Sequence, residues 1–162
     1  MLLRSVINQL RLMLVVLLAL VSYGTVLADS KSATDSQAVT KKVTIPDEDR
    51  FLPFALTIHV GDSVQWTNND TDDHTIVAVS AFTNTDHKTV NHLILGTDNN
   101  GGNPGVFTLK FNVEGRFTYR CRFHAKLDAH HQPIAPGPRG GIQSSNGNFG
   151  TPMMGVITVL HD

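Results

Sequence analysis

Cys121 is the only cysteine in this chain of 162 residues. It lies in Tyr119-Arg120-Cys121-Arg122-Phe123-His124, and the next methionine after that histidine is Met153. A thiolate, an imidazole and a thioether near the end of a β-rich chain point to soft-ligand copper chemistry. A trigonal His₂Cys set with a weak axial thioether suits both oxidation states of copper, so little must move when an electron passes. Such a set needs a second imidazole from upstream. His74, in Asp72-Asp73-His74-Thr75-Ile76-Val77, is the best-placed candidate.

Blander chemistry competes for the same residues. An inward cysteine is often a small core hydrophobe, and methionine is a common gap-filler in cores. A cysteine nucleophile would need a base within reach, and His124 is the candidate. No helix start lies beside Cys121 to lower its pKa, however, and the Met153-Met154-Gly155 strand would then have no role. Zinc fits poorly because thioether is not among its usual donors. A binuclear copper centre would need two cysteines. His59 is expected to face solvent, and His87, His92 and His161 are assigned no role. His130 and His131 read as surface residues, since adjacent imidazoles rarely both face one ion.

The elements that must position these residues are short β-type runs punctuated by turn residues. Val43-Thr44-Ile45 is expected to be the first strand, stopped by Pro46 and Asp47-Glu48-Asp49. Leu56, Ile58 and Val60 alternate inward, then Gly61-Asp62 turns the chain into a strand that presents Val64 and Trp66 to one side. The polar loop Asn68 to Asp73 leads into a strand from His74 to Val79, and Thr89 to Leu95 is a further candidate. Phe107, Leu109 and Phe111 share one face, as do Phe117, Tyr119 and Cys121 after the turn at Glu114-Gly115. These two runs read as a hairpin. Ala125 to Pro152 is a long loop in which Pro and Gly exclude regular structure over most of its length. Gly155 to Leu160 is the last strand. The spacing predicts an all-β sandwich or barrel with no convincing amphipathic helix.

Residues 1–28 read as a secretory signal peptide. Arg4 and Arg11 supply the positive start, Leu12 to Val21 the apolar run, and Val26-Leu27-Ala28 the cleavage site. The apolar run falls short of the roughly 20 residues that a spanning helix needs. Residues 29–42 are expected to be a flexible N-terminal segment and 43–162 the folded domain. With 13 basic and 14 acidic residues the formal net charge is −1, and no basic run or stripe exists to bind nucleic acid. An unpaired thiol is a liability in an oxidising compartment unless metal or burial protects it.

Several stretches together resemble the small blue copper proteins, the cupredoxins, and in particular their plastocyanin, pseudoazurin and amicyanin branch. They are Phe51-Leu52-Pro53, Gly61-Asp62-Ser63-Val64-Gln65-Trp66-Thr67-Asn68, Asp73-His74-Thr75, Tyr119 to His124, and Met153-Met154-Gly155-Val156-Ile157-Thr158-Val159. The resemblance implies a Greek-key β-sandwich with one mononuclear copper on His74, Cys121, His124 and Met153, with Met154 as the alternative axial donor. It also implies one-electron transport between redox proteins rather than an enzyme. The competing readings are a carrier that delivers copper to an accepting protein, and a non-redox interaction module built on the same sandwich. A monomer is expected, exported to the periplasm in a Gram-negative cell and secreted otherwise. In that branch the His-to-Met interval is a few residues and proline commonly precedes the second histidine. Here the interval is the long loop, and Phe123 stands before His124. The loop is expected to shape partner docking or shield the site and to supply no ligand.

Overall fold

The computed structural model describes residues 37–143 and 150–161. The expected signal peptide, most of the N-terminal segment and residues 144–149 of the long loop lie outside the described residues. Ten strands follow in order among the described residues: β1 (Thr40–Ile45), β2 (Ala55–His59), β3 (Ser63–Asn68), β4 (His74–Ala78), β5 (Asn91–Ile94), β6 (Gly105–Lys110), β7 (Gly115–Arg120), β8 (Lys126–Leu127), β9 (Pro133–Ile134) and β10 (Met154–Leu160). The helices among the described residues are two single 3₁₀ turns, Ser80–Phe82 and Thr97–Asn99. None of the helices there is long and apolar enough to cross a membrane.

Two open sheets form a Greek-key sandwich. One has the order β1-β3-β6 and the other β2-β10-β7-β4-β5. Alternation puts every second side chain of each sheet inward. Val43, Ile45, Val64 and Trp66 from the first sheet meet Ile58, Ile76, Phe117, Tyr119, Ile157 and Val159 from the second in one buried cluster. Burying each large aliphatic or aromatic side chain contributes about 1.5–3 kcal/mol, so this seam holds the two sheets together. Trp66 is its centre, with its ring 5.6 Å from Phe107 and 5.4 Å from Tyr119.

The first strand starts earlier than the apolar pattern suggests. Thr40, Lys41 and Lys42 pair in parallel with Ser63, Val64 and Gln65. Asp62 Oδ1 accepts the Val39 N–H at 2.8 Å and leads the chain into that edge. These polar residues are exposed, so backbone pairing rather than burial recruits them.

The hairpin expected between residues 106 and 121 does not form. β6 pairs with β3 in one sheet, whereas β7 pairs with β10 and β4 in the other. The turn at Glu114-Gly115 is a crossover between layers, and Gly115 takes a positive φ of 134° there. Two strands with inward-alternating aromatics satisfy the same pattern whether they pair side by side or face each other across a core.

The long loop leaves from His124 and forms the small β8–β9 hairpin. Asp128 Oδ1 accepts the N–H groups of both His130 and Gln132 at 2.8 Å and closes its tip. The loop returns through bonds from Gln143 N–H to Glu48 O at 2.9 Å and from Ile142 N–H to Thr151 O at 2.8 Å.

Candidate metal centre

Strand register alone brings the chemistry-bearing residues together. β4 begins at His74 and runs antiparallel to β7, with Val77 opposite Arg120. Cys121 directly follows β7 and His124 closes the next turn. β10 pairs Met154 with Arg120, which sets Met153 beside Cys121. The Cys121 N–H donates to Met153 O at 3.0 Å, and the Met153 N–H donates to His124 O at 3.1 Å. The thiol, one imidazole and the methionine are therefore laced together through the backbone. Gly155 makes room for this: a Cβ there would collide with the Tyr119 ring and hydroxyl.

The Sγ of Cys121 and one ring nitrogen each of His74 and His124 lie within 4.8 Å of one another. His74 Nδ1 is 3.7 Å from the sulfur, and the two imidazole centroids are 5.1 Å apart. His74 and Cys121 are fully buried, while the His124 side chain keeps 20% of its surface exposed. Met153 is also fully buried. Met154 faces the opposite side of its strand and lines an outer groove with Phe82, Arg116, Thr118, Gln132, Pro133 and Val156. Strand alternation therefore separates the two methionines, with Met153 on the side of Cys121.

Thr75 ties the two segments across the sheet. Its Oγ1 accepts the Arg122 N–H at 2.9 Å and lies 3.7 Å from Cys121 Sγ. Groups that orient metal ligands from behind commonly carry 10–100-fold in affinity or activity. Thr75→Ala should therefore weaken copper binding by about 10-fold or more, read by competition with a chelator. An unchanged affinity and spectrum would remove Thr75 from that role.

Two carboxylates that the sequence did not single out complete the surroundings. Asp70, in the loop before β4, places Oδ2 3.0 Å from His74 Nε2. Asp49, in the turn after β1, places Oδ1 3.7 Å from the same nitrogen and 3.4 Å from His124 Nδ1. Both are buried, and Asp49 adopts a left-handed backbone with φ 53°. Burial raises the Asp49 carboxyl pKa above its usual value, against the pull of His124 and His74. Asp70 lies four residues before His74, but its loop gave no periodic signal. Asp49 arrives from a distant turn, and no sequence spacing relates it to the site.

Burial alone would push the Cys121 thiol up. Hydrogen bonds from His124 and His74, with the backbone at Thr75 and Phe123, outweigh that and hold it at about 5. Burial works against protonating His74, but Cys121 and Asp70 reverse it, and the His74 pKa is raised. The same balance holds at His124, where burial is outweighed by Cys121 and Asp49 and the pKa is again raised. The thiol is thus shifted toward thiolate and both imidazoles toward their protonated forms. A depressed thiol pKa gives stability that is complete above the unfolded value near 9 and is lost as pH falls through the folded value. The raised histidines give stability below their ordinary value that is lost as pH rises through the folded one. Thiolate ultraviolet absorbance of the folded, metal-free protein should appear with a midpoint at about 5. A midpoint near 9 without denaturant would contradict this charge pairing.

The donors fit a soft ion. One thiolate and two imidazoles converge, Cys121 has no disulfide partner, and the buried Nδ1 of His124 is left with Asp49 Oδ1 at 3.4 Å. A buried imidazole nitrogen beside a thiolate is a donor pair that fits a soft metal. His130 and His131 are not in either metal-capable group of the described residues, which are His74-Cys121-His124 and Asp49-Asp70-His74.

Over 79 residues the chain is 39% identical to the chloroplastic plastocyanin of Tetradesmus obliquus. The domain is cupredoxin-like. The match covers 46% of this chain and 50% of that protein, so the chain spans half the length of the curated relative it matches. No protein-family model matches the chain. Among solved structures, an amicyanin variant in its Cu(I) form overlaps 75% of this chain and 82% of its own, with a TM-score of 0.48 at 16% identity. A purple cupredoxin from Nitrosopumilus maritimus overlaps 76% of this chain and all of its own, with a TM-score of 0.44 at 22% identity.

Proposed function

We propose that this cupredoxin-like domain is a one-electron carrier, not an enzyme, whose redox couple is a single copper ion. His74, Cys121 and His124 would hold the ion, with Met153 as a weak fourth donor. Bound there, copper would supply the Cu(I)/Cu(II) couple that a His₂Cys thioether set serves with little rearrangement. The observation that carries this reading is the asymmetry of exposure. His74 and Cys121 are fully buried, whereas the His124 side chain reaches solvent with 20% of its surface. Buried donors retain an ion, and a single imidazole edge gives electrons a short way in and out.

The strand network supports the same reading. Backbone bonds join Met153 to both Cys121 and His124, and Thr75 joins β4 to the cysteine turn. A site laced this way resists the rearrangement that copper release requires. The domain then works as a monomer between redox proteins outside the cytoplasm, after removal of residues 1–28 as an export signal. Sequencing the N-terminus of the secreted protein tests that last point, with Asp29 as the expected first residue.

Copper-loaded protein should pass through repeated cycles of chemical reduction and reoxidation with its metal content and visible spectrum unchanged. It should also hold Cu(I) against a chelator on the timescale of those cycles. Rapid loss of Cu(I) to the chelator would instead assign it to copper delivery. Protein that takes up no copper would leave an interaction module.

A further inference from the structure

His74 differs from His124 in what stands behind its ring. Its Nε2 faces a buried carboxylate, with Asp70 Oδ2 at 3.0 Å. A hydrogen bond to a carboxylate is stronger and more directional than one to a neutral oxygen, and it leaves its charge beside the ring. Asp49 Oδ1 stands 3.7 Å from the same nitrogen and 3.4 Å from His124 Nδ1, so a second acidic side chain is shared between the two rings.

Asp70 is itself held rigidly. Its N–H donates to Asn68 Oδ1 at 3.1 Å, and its carbonyl accepts the Thr97 N–H at 2.8 Å. Its Oδ1 accepts from Thr71 Oγ1 and Asp72 N–H, both at 3.3 Å, which leaves Oδ2 for the imidazole. Asn68 is fully buried and spends its amide on the carbonyls of Asp72, Ile94 and Leu95. The Gly96 N–H donates to Asp73 Oδ1 at 2.8 Å, and no Cβ would fit between Gly96 and the backbone of Thr71 and Asp72. Two loops are therefore clamped to put one carboxylate oxygen on one imidazole nitrogen. Mere solubility of a polar loop would not require this.

We infer that Asp70, with Asp49 beside it, is a positioning residue for the copper centre that also biases it toward the oxidised ion. This rests on the reading of His74, Cys121 and His124 as copper ligands. The Asp70 carboxylate fixes the ring with Nδ1 toward Cys121 and Nε2 away from it, which makes Nδ1 the donor nitrogen. Its negative charge raises the donor strength of the imidazole and offsets the extra positive charge of Cu(II) more than that of Cu(I). The centre thereby becomes harder to reduce than the same donors would be with a neutral group behind His74. Its electron donors must accordingly be stronger reductants.

The variant that separates charge from shape is Asp70→Asn, which keeps an acceptor for Nε2 and removes the charge. The readout is the ratio of Cu(II) to Cu(I) affinity, measured by chelator competition in each oxidation state on the full-length protein. A general loosening of the site lowers both affinities and cancels in the ratio. Asp70→Asn should still bind one copper with the parental visible band, and its ratio should fall by about 10-fold, the lower end of such effects. For a one-electron couple that is a rise of about 59 mV in reduction potential for each tenfold. Asp70→Glu keeps the charge and should restore most of the ratio. Asp49→Asn, built separately in case the first variant fails to fold, should move the ratio the same way. A parental ratio in copper-loaded Asp70→Asn, or in Asp49→Asn if only that variant folds, overturns the inference and leaves the copper reading standing. A parent protein that binds no copper overturns the copper reading itself, and this inference with it.

Discussion

Copper-loaded Cys121→Ser is expected to be colourless at the concentration where the parent is strongly coloured. The colour of a thiolate–copper centre arises from charge transfer out of sulfur, and a hydroxyl oxygen has no comparable donor orbital. Cys121 is the only cysteine in the chain, so no second thiolate can take its place. The exchange is nearly isosteric, so although Cys121 belongs to the same buried cluster as Trp66, just past the end of β7, the packing around it changes little in volume. The variant should therefore keep the sandwich and its far-ultraviolet circular dichroism. Cu(II) affinity should fall by more than the 10–100-fold typical of changes behind a ligand, because a donor atom itself is lost. A Cys121→Ser protein as coloured as the parent would show that sulfur from Cys121 does not bind the metal.

Trp66→Ala should cost the metal-free domain about 3–5 kcal/mol in urea unfolding, the range for removing a large aromatic from a core. Trp66 is fully buried, stacks on Phe107 and meets the Tyr119 ring edge-on. Tyr119 packs in turn on Phe51 at 4.8 Å and on Phe117 at 5.5 Å, so a cavity there loosens both sheets. Single domains hold only about 5–15 kcal/mol in total, which leaves the variant near the edge of folding. Copper should restore much of the loss, since a ligand at about 100 times its Kd adds roughly 2.7 kcal/mol. A loss below about 1 kcal/mol would mean that the seam between the sheets is held elsewhere.

The convergence of the candidate donors was legible in part because Cys121, His124 and Met153 lie just outside the ends of strands that pair in one sheet. Cys121 and His124 share one turn, and the Met153-Met154-Gly155 segment opens the strand that pairs with β7. His74 was legible as the first residue of a strand after a structured polar loop. The choice between Met153 and Met154 needed the pairing of β10, because alternation says only that the two face opposite ways. Asp49 and Asp70 were not legible. Their relation to His74 is made by tertiary closure of two turns, and nothing in their spacing announces it. The first strand was cut short because Thr40-Lys41-Lys42 has no apolar alternation, and only the exposed edge of β3 recruits it. The false hairpin came from a real signal: β6 and β7 both face aromatics inward, but from opposite sheets.

The most direct measurement is the absorption spectrum of the mature protein titrated with Cu(II), with bound metal counted in parallel. One equivalent should bind, an intense visible band should grow to an endpoint at that equivalent, and a one-electron reductant should bleach it reversibly. Binding without an intense band, with the Cys121 thiol still free to react with a thiol reagent after denaturation in the presence of a copper chelator, would contradict a thiolate-bound copper centre. So would failure to bind copper at all.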